Sequence, residues 1–415
     1  MQTIRGRAAF EGEFTLPGDK SITHRAIMFS GAADGEATVT GALLGEDCLS
    51  TAACMRALGA TVKIEKDVVF IQGTPEFLSG KKLDCGNSGT TIRLLTGLVA
   101  GRNIDAELYG DPSLSLRPME RVANPLRELG ASVKTTDGKP PVTVSKAKLT
   151  GAKINLSVAS AQVKSAILLA GLQADGETTV VEPIRSRDHT ERMLQAMGAK
   201  ISVNGNAVSV QKSTLKSVDV TVPSDISSAA YFMALGALKG KTLCKNVGIN
   251  PTRTGILKAF DLLGVKYVLQ NKRLSGGEEI ADILVEKSPL RGIELGGEDA
   301  PTMIDELPLI ALMCAYADGV SVIRGVKELR VKESDRIKTT AALINGIGGD
   351  CQETDDGFII RGKGSLTGGT VDSFLDHRIA MTAAVGLAAS KNGGEILRPE
   401  CCAISFPDFF EKLGV

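Results

Sequence analysis

SITHRAIMFSGAADGEATV, residues 21–39, opens with a polar residue, continues as a helix of small and apolar residues, stops at glycine and enters a β-like segment. Five further copies of this pattern follow, at residues 89–108, 160–180, 227–247, 305–325 and 376–397. The copies start about 70 residues apart, longer than the roughly 20 to 50 of solenoid repeats, so each copy belongs to a larger subdomain.

A second recurring helix lies between these copies, ends at glycine and usually leads into a strand. Its copies are residues 47–64, 118–135, 189–203, 252–268, 334–351 and 406–415. Apolar residues at three- and four-residue spacing, followed by a glycine suited to a left-handed C-cap, predict amphipathic helices. The segments 61–73 and 199–212 alternate apolar and polar residues around a turn, which predicts β-hairpins. The sequence therefore predicts an α/β protein built from six units, three to a domain.

The bulk properties agree with a globular protein. A chain of 415 residues should form at least two domains, and its 43% hydrophobic and 23% charged residues are typical of packed cores. Lys plus Arg and Asp plus Glu both total 48, so the net charge gives no reason to expect nucleic acid or an anionic membrane as partner. No apolar stretch near the start is long enough for a signal peptide or membrane span, so we expect a cytoplasmic protein.

The cysteines form no CxxC pair and lie in apolar runs, which favours small core residues over disulfides or a metal site. They are Cys48, Cys54, Cys85, Cys244, Cys314, Cys351, Cys401 and Cys402.

The first helix of each unit carries few charges and should be buried at the domain centre. Its N-terminus would offer free backbone N–H groups and a positive dipole end, which suit a phosphate or carboxylate. The simpler alternative is that Ser21, Ser160 and Asp305 are ordinary N-caps.

Charged residues nevertheless interrupt these apolar helix starts. They are Lys20, Arg25, Arg93, Lys164 and Arg378, with the acids Asp305, Glu333 and Asp376 flanking other starts. Burying such charges is costly without a partner, and a small ligand with several negative groups would supply one. For Arg117, Arg336 and Arg378, each taken alone, a surface ion pair is the alternative.

Nine motifs along the chain together resemble the 5-enolpyruvylshikimate-3-phosphate synthase family. They are PGDKSITHR at 17–25, GNSGTTIRLL at 86–95, RPM at 117–119, SAQVKSA at 160–166, RDHTE at 187–191, NPTRTG at 250–255, ELRVKESDRI at 328–337, DHRIAM at 376–381 and SFPDFFEKL at 405–413. SAQVK, RDHTE and NPTR resemble the subgroup often associated with tolerance to glyphosate.

The resemblance implies the enolpyruvyl transferase fold, an inside-out α/β barrel with two similar domains of three βαβαββ-type units. The N-terminal domain would be residues 18–223, and the C-terminal domain residues 1–17 plus 224–415, joined by two crossover strands and closing over substrate. It also implies transfer of the enolpyruvyl group of phosphoenolpyruvate to the 5-hydroxyl of shikimate 3-phosphate, with neither cofactor nor metal, and we expect a monomer.

The resemblance also implies the site residues. Those for shikimate 3-phosphate are Lys20, Ser21, Arg25, Ser160, Ala161, Gln162, Ser186, Arg187, Asp305 and Lys332. Those for phosphoenolpyruvate are Lys20, Asn87, Gly89, Arg117, Gln162, Glu333, Arg336, His377 and Arg378. The catalytic residues would be Asp305 as base for the hydroxyl, Glu333 as the acid that protonates carbon, and Lys20 for the developing charge. His24 and His189 are expected to be structural.

Two positions depart from the family pattern. Ile404 stands where many members have a lysine, and Glu328 stands where an asparagine is frequent. One contact to phosphoenolpyruvate should therefore differ here.

Two alternatives stay open. The sister transferase acting on UDP-N-acetylglucosamine would share the fold, but it carries KNAA and a reactive loop cysteine where this chain has GDKS and no cysteine near Arg117. A non-catalytic anion-binding scaffold is the second alternative. Asp305 and Glu333 argue against it, because carboxylates would weaken the binding of a polyanion.

Overall fold

The protein is described from a computed structural model, over residues 1–275 and 277–415. The chain folds into two compact units. The inserted unit comprises Gly18–Val222 together with Ser275 and Gly277, and the flanking unit comprises Met1–Pro17, Pro223–Leu274 and Glu278–Val415. The chain therefore leaves the flanking unit after Pro17 and returns to it after Val222.

The elements alternate short strands with helices. The strands are β1 (Gln2–Ile4), β2 (Phe10–Thr15), β3 (Glu36–Thr40), β4 (Thr61–Glu65), β5 (Val68–Gln72), β6 (Lys81–Asp84), β7 (Ala106–Tyr109), β8 (Ser132–Thr136), β9 (Lys139–Ser145), β10 (Lys153–Asn155), β11 (Thr178–Val181), β12 (Ile201–Asn204), β13 (Ala207–Val210), β14 (Val220–Thr221), β15 (Gly240–Gly248), β16 (Lys266–Ser275), β17 (Glu278–Glu286), β18 (Glu294–Leu295), β19 (Val320–Ile323), β20 (Cys351–Thr354), β21 (Gly357–Arg361), β22 (Gly369–Asp372) and β23 (Gly394–Leu397). The α-helices are α1 (Lys20–Ala32), α2 (Glu46–Ala57), α3 (Gly89–Gly101), α4 (Glu120–Glu128), α5 (Ala161–Gly171), α6 (His189–Ala196), α7 (Ile226–Lys239), α8 (Gly255–Leu263), α9 (Ala300–Met303), α10 (Leu307–Tyr316), α11 (Arg336–Gly346), α12 (His377–Ala389) and α13 (Phe409–Leu413). Short 3-10 helices lie at Leu114–Leu116, Lys327–Val331 and Pro399–Ile404.

The sheets repeat one plan. In β6-β7-β9-β8, the first two strands are parallel and a hairpin then adds antiparallel strands. The other four-stranded sheets have the orders β14-β3-β5-β4, β10-β11-β13-β12, β16-β17-β15-β2 and β18-β19-β21-β20, and the three-stranded sheet has the order β1-β23-β22. The predicted α/β class and both predicted hairpins, β4 with β5 and β12 with β13, are confirmed.

Some sheets depend on strands that are distant in the sequence. In the inserted unit, β14 lies parallel to β3, with Val220 opposite Val39. In the flanking unit, β2 lies parallel to β15 and β1 lies antiparallel to β23, with Gln2 opposite Ile396. The segment Gly18–Val222 separates β1 and β2 from their partners along the chain, whereas β3 and β14 are the first and last strands of that segment.

The first helix of each repeat is buried, as the sequence predicts. In α10 and α12 every residue is buried, and α7 is buried from Ile226 to Ala237. In the inserted unit α3 packs closely on α5, where a Cβ at Gly97 would lie 2.0 Å from the carbonyl oxygen of Ala166. Glycine is therefore needed for this approach of the two backbones. The eight cysteines are all buried too, which confirms their assignment to the core.

The predicted N-caps are correct in one case of three. Ser160 caps α5, and its side chain accepts from Val163 N at 3.4 Å. Ser21 does not cap α1, because Asp19 does so by accepting from Ile22 N at 2.8 Å. Asp305 is also wrong as a cap, since it lies in the turn between α9 and α10 and the next residue occupies the cap position of α10.

In the described part of the chain, no helix combines the length and apolar character needed to cross a membrane.

Candidate active site

In the inserted unit, α1, α3 and α5 begin close to one another. Arg93 Nη1 of α3 donates to Gln162 Oε1 of α5 at 2.7 Å, and Gln162 Nε2 donates back to Thr90 Oγ1 at 3.0 Å. Arg25 Nη2 of α1 donates to Ser165 Oγ of α5 at 3.0 Å. Three positive helix ends therefore converge with two arginines, an arrangement that favours a bound anion.

Lys20 is held by a carboxylate of the protein. Its Nζ lies 3.2 Å from Asp47 Oδ2, and the two side chains are 18% and 11% exposed. Thr91 Oγ1 donates to the carbonyl oxygen of Asp47 at 3.4 Å, which ties this pair to α3. An anion that binds Lys20 must therefore compete with Asp47.

The guanidinium of Arg25 is buried and fixed on several sides. Nε donates to Thr190 Oγ1 at 2.7 Å, and Nη1 donates to the carbonyl oxygen of Ser21 at 2.9 Å. Only 2% of the residue is exposed. Because its planar fork is oriented in advance, Arg25 loses little side-chain freedom when it binds a partner.

Asn87, Gly89 and Arg117 form a second part of this site. Arg117 Nη2 donates to Asn87 Oδ1 at 2.7 Å, and Asn87 Nδ2 donates to Asp111 Oδ2 at 2.7 Å. A Cβ at Gly89 would lie 2.8 Å from Arg93 Nη1 and 3.0 Å from Arg117 Nη1. The missing side chain at Gly89 thus lets two guanidinium groups approach each other, which concentrates positive charge at the start of α3.

The remaining predicted residues of the inserted unit lie at the starts of α5 and α6. Ser160 is the N-cap of α5 and Ala161 its first residue. Ser186 is buried, and its N and Oγ donate to Glu182 at 3.1 and 2.5 Å, so its hydroxyl proton already has an acceptor. Arg187 is half-buried in the loop before α6.

In the flanking unit, Arg336 is the centre of a cluster of carboxylates. It is 1% exposed, and its Nη1 donates to Asp305 Oδ1 at 3.3 Å. Nη2 donates to Glu333 Oε2 at 2.7 Å, and Nε donates to Asp376 Oδ2 at 2.9 Å. Burial opposes the charge, yet the carboxylates of Asp376, Glu333 and Asp305 raise the pKa of Arg336 above its ordinary value. The two candidate catalytic carboxylates are thus held by one guanidinium.

Asp376 organises the start of α12. Besides the two nitrogens of Arg336, it accepts from Ser334 Oγ at 2.9 Å and from Arg378 N at 2.9 Å. His377 and Arg378 follow as the first residues of α12 and are 2% and 5% exposed. This cap therefore sets the position of both predicted ligands of phosphoenolpyruvate.

Several buried groups around Arg378 influence one another. Burial lowers the pKa of Arg378, but the neighbouring Tyr231 and Asp305 oppose this, and the net result lies well above the ordinary value. Burial raises the pKa of Tyr231 to about 12. Burial also raises the pKa of Glu306, against the effect of Arg253. The guanidinium of Arg378 is thus firmly cationic.

The structure shows what the side chains at the two positions that depart from the family pattern contact. Ile404 is half-buried and packs against the core of the flanking unit. Glu328 Oε1 lies 3.9 Å from Lys332 Nζ. Burial lowers the pKa of Lys332, while the carboxylates of Asp305 and Glu328 act in the opposite direction.

The predicted residues fall into two groups, one in each unit. The inserted unit holds Lys20, Ser21, Arg25, Asn87, Gly89, Arg117, Ser160, Ala161, Gln162, Ser186 and Arg187, and the flanking unit holds Asp305, Lys332, Glu333, Arg336, His377 and Arg378. Within residues 1–275 and 277–415, no three His, Cys, Asp or Glu side chains are grouped as a metal site would require.

The structure corrects one interpretation and adds residues that the sequence analysis did not single out. Lys164 was expected to face a ligand, but it is fully buried between two glutamates. Four residues outside the predicted set lie beside predicted site residues: Asp47 beside Lys20, Asp111 beside Asn87, Thr190 beside Arg25 and Glu306 beside Arg378. Thr190 lies within the RDHTE motif and Glu306 directly follows Asp305, so adjacency could have indicated both, whereas no local signal points to Asp47.

Comparisons with known proteins extend over almost the whole chain. A sequence model described as EPSP synthase (3-phosphoshikimate 1-carboxyvinyltransferase) matches residues 4–413. A 3-phosphoshikimate 1-carboxyvinyltransferase of Shouchella clausii (strain KSM-K16) is 43% identical over 419 aligned residues, which cover 99% of this chain and 97% of the relative. One of Synechococcus elongatus is 46% identical and covers 97% of this chain and 92% of its own length.

Solved structures agree with these relatives. The EPSP synthase of Acinetobacter baumannii has a TM-score of 0.88 at 43% identity, covering 99% of this chain and 97% of its own. The enolpyruvyl transferase NikO of Streptomyces tendae has a TM-score of 0.78 at 20% identity, covering 99% and 96%, and it supports the fold alone. With matches that leave out only a few terminal residues, the chain belongs to the EPSP synthase (3-phosphoshikimate 1-carboxyvinyltransferase) family.

Proposed function

We propose that this chain transfers the carboxyvinyl group of phosphoenolpyruvate to the 5-hydroxyl of shikimate 3-phosphate and releases phosphate. The observation that carries the proposal is the family match over residues 4–413, together with relatives of this name at 43% and 46% identity. The grouped cations and carboxylates of the two units are what two anionic substrates and proton transfer require.

For shikimate 3-phosphate we propose the residues at the converging helix starts of the inserted unit, together with two residues of the flanking unit. They are Lys20, Ser21, Arg25, Ser160, Ala161, Gln162, Ser186, Arg187, Asp305 and Lys332. The positive ends of α1 and α5, and the oriented guanidinium of Arg25, support a phosphate ligand there.

For phosphoenolpyruvate we propose a second set, which supplies most of the remaining cations. They are Lys20, Asn87, Gly89, Arg117, Gln162, Glu333, Arg336, His377 and Arg378. The close approach of guanidinium groups at Gly89 supports an anion with two charged ends, because like charges need a shared counterion.

The chemistry needs a base and an acid. Asp305 takes the proton of the 5-hydroxyl, whose oxygen bonds to C2 of phosphoenolpyruvate, while Glu333 gives a proton to the C3 methylene. Glu333 then removes a proton from C3 as the bond from C2 to the phosphate oxygen breaks, and phosphate leaves. Such proton transfers contribute about 10² to 10⁴ in rate, so electrostatic stabilisation by Lys20 and the arginines supplies much of the rest.

Phosphate release tests the proposal. We expect release only when shikimate 3-phosphate and phosphoenolpyruvate are both present. Release that does not require shikimate 3-phosphate would refute the assigned acceptor, and no release in any mixture would favour an anion-binding scaffold.

Two variants test the assigned roles. Glu333→Gln and Asp305→Asn should keep substrate binding but lose about 10²-fold or more in kcat. Asp372→Asn is the matched control, because Asp372 also pairs with an arginine, Arg398 at 2.5 Å, but lies outside the proposed site. Unchanged turnover in either site variant would remove that residue from the mechanism.

We further propose that the chain acts as a cytoplasmic monomer without a nucleic-acid partner. The equal totals of basic and acidic residues, 48 each, support the absence of a nucleic-acid partner, since such partners favour basic surfaces. Sedimentation velocity at micromolar concentration should give a single species of about 43.5 kDa, and a larger one would contradict the monomer.

A further inference from the structure

A cluster of buried charges in the inserted unit lies outside the residues assigned to substrate. Lys164 Nζ lies 2.8 Å from Glu182 Oε2 and 2.7 Å from Glu191 Oε1. The three side chains, here called the buried triad, are 0%, 1% and 5% exposed. A side chain enclosed in this way does not touch a substrate, so the charge of Lys164 acts on the protein itself.

Stability alone does not account for the buried triad. Replacing a buried ion cluster with apolar side chains of similar volume is often neutral or stabilising, because desolvation of the charges offsets their attraction. Charged groups do, however, fix the direction and distance of the groups that they bind. The contacts of the buried triad therefore indicate which groups it holds in position.

One arm of the buried triad reaches the loop before α6. Glu182 Oε2 accepts from Ser186 N at 3.1 Å, and Glu182 Oε1 accepts from Ser186 Oγ at 2.5 Å. Lys164 Nζ also donates to the carbonyl oxygen of Ser186 at 3.4 Å. Main chain and side chain of Ser186 are thus tied to the buried triad by three hydrogen bonds.

The other arm reaches Arg25. Lys164 is followed in α5 by Ser165, and Glu191 is preceded in α6 by Thr190. The hydroxyls of Ser165 and Thr190 lie 2.6 Å apart, and they accept from Arg25 Nη2 and Nε at 3.0 and 2.7 Å. The ion pair between Lys164 and Glu191 therefore sets the register in which α5 and α6 hold the guanidinium.

We propose that Lys164, Glu182 and Glu191 are positioning residues that fix the loop of Ser186, and with it the adjacent Arg187, in the register in which α5 and α6 meet the phosphate group of shikimate 3-phosphate. The inference rests on the proposed function, because that function supplies the phosphate. Misplacing a binding group by about 1 Å is enough to weaken its interaction strongly, so a rigid support has a direct effect on affinity.

The test removes the charges while keeping the shapes. The triple variant Lys164→Met, Glu182→Gln, Glu191→Gln removes all three charges of the buried triad together. Calorimetric titration should show an affinity for shikimate 3-phosphate that is about 10- to 100-fold lower, the range expected for hydrogen bonds to a charged group. The affinity for shikimate, which lacks the phosphate, and the KM for phosphoenolpyruvate should not change. Lys82→Met is the matched control, because Lys82 pairs with Glu107 at 3.0 Å on the surface, and it should bind both ligands as the parent does.

A second variant keeps the inference testable if the triple variant does not fold. Glu182→Gln alone leaves the pair of Lys164 with Glu191, and we expect it to lower the affinity for shikimate 3-phosphate about tenfold, with shikimate unaffected. Parent affinity for shikimate 3-phosphate in the folded variants, or an equal loss for both ligands, would overturn the inference. Phosphate release by the parent protein separates the two proposals, since its absence refutes the function and its presence beside unchanged variants refutes only the positioning role.

Discussion

Replacing Asp376 should show how strongly the carboxylate cluster holds the flanking unit together. Asp376 is 0% exposed and accepts from two nitrogens of Arg336, at 2.9 and 3.2 Å, and from Ser334 Oγ and Arg378 N, both at 2.9 Å. The substitution Asp376→Asn keeps the volume and one oxygen for the helix cap, but it removes the charge that faces Arg336.

The expected loss follows from these contacts. Breaking a buried ion pair costs about 3–5 kcal/mol. Arg336 retains Glu333 and Asp305 at 2.7 and 3.3 Å, and asparagine remains a good N-cap, so we expect the low end, about 3 kcal/mol. For a unit of this size that corresponds to a fall of about 6 to 12 °C in the Tm of its transition.

Scanning calorimetry at neutral pH measures this effect, with Asp372→Asn as control. Asp372 also pairs with an arginine, Arg398, at 2.5 Å, but the side chains are 29% and 43% exposed, so its loss should cost less than about 1 kcal/mol. High salt should reduce the effect of Asp372→Asn and leave that of Asp376→Asn nearly unchanged, because buried pairs are screened little. Equal shifts of Tm in the two variants would refute the argument that burial makes the difference.

Two further predictions concern the inserted unit. Gly97→Ala should lower the free energy of unfolding by about 3 kcal/mol, because the added Cβ would lie 2.0 Å from the carbonyl oxygen of Ala166. Gly101→Ala is the control: its nearest contact would be at 3.0 Å, so the free energy of unfolding should change by no more than about 1 kcal/mol. Urea titrations measure both values. The same loss in both variants would contradict this explanation. Hydrogen bonds from Arg127 hold the pKa of Glu120 below its ordinary value, so its stabilisation is present above the unfolded pKa of about 4.3 and is lost as the pH falls through the lower folded pKa. Glu120→Gln should therefore lower stability at pH 7 by less than about 1 kcal/mol, and melts in acid should show the difference vanish; a difference that grows in acid would reverse the assigned sign.

Local patterns were sufficient for much of the fold. The alternation in residues 61–73 predicts the hairpin of β4 and β5, and the apolar run at 305–325 predicts the buried helix α10, because each depends on neighbours in sequence. Local patterns do not indicate that β14 completes the sheet of β3, or β2 that of β15, since each pair joins strands that are far apart in the sequence. The cap of α1 was misplaced because Asp19 and Ser21 are both good caps two residues apart.

In the candidate site, too, local motifs were sufficient for some features, while others depend on distant contacts. Motifs identified the cations, but not which of them already have carboxylate partners. The ion pairs of Lys20 with Asp47 and of Lys164 with two glutamates join different elements of the fold. The periodicity of a single helix or strand therefore does not predict them.

The pairing of the first strands with late ones has a consequence for synthesis. A ribosome adds about 5–20 residues per second, so β1 leaves it roughly 20 to 80 s before its partner β23 is made. The sheets of the inserted unit use only strands between Glu36 and Thr221, so they are able to form while translation continues. The N-terminal strands, in contrast, must remain unpaired in the nascent chain, β2 until β15 has been translated and β1 until β23 has been translated. During that time they are exposed to chaperones that bind short extended segments.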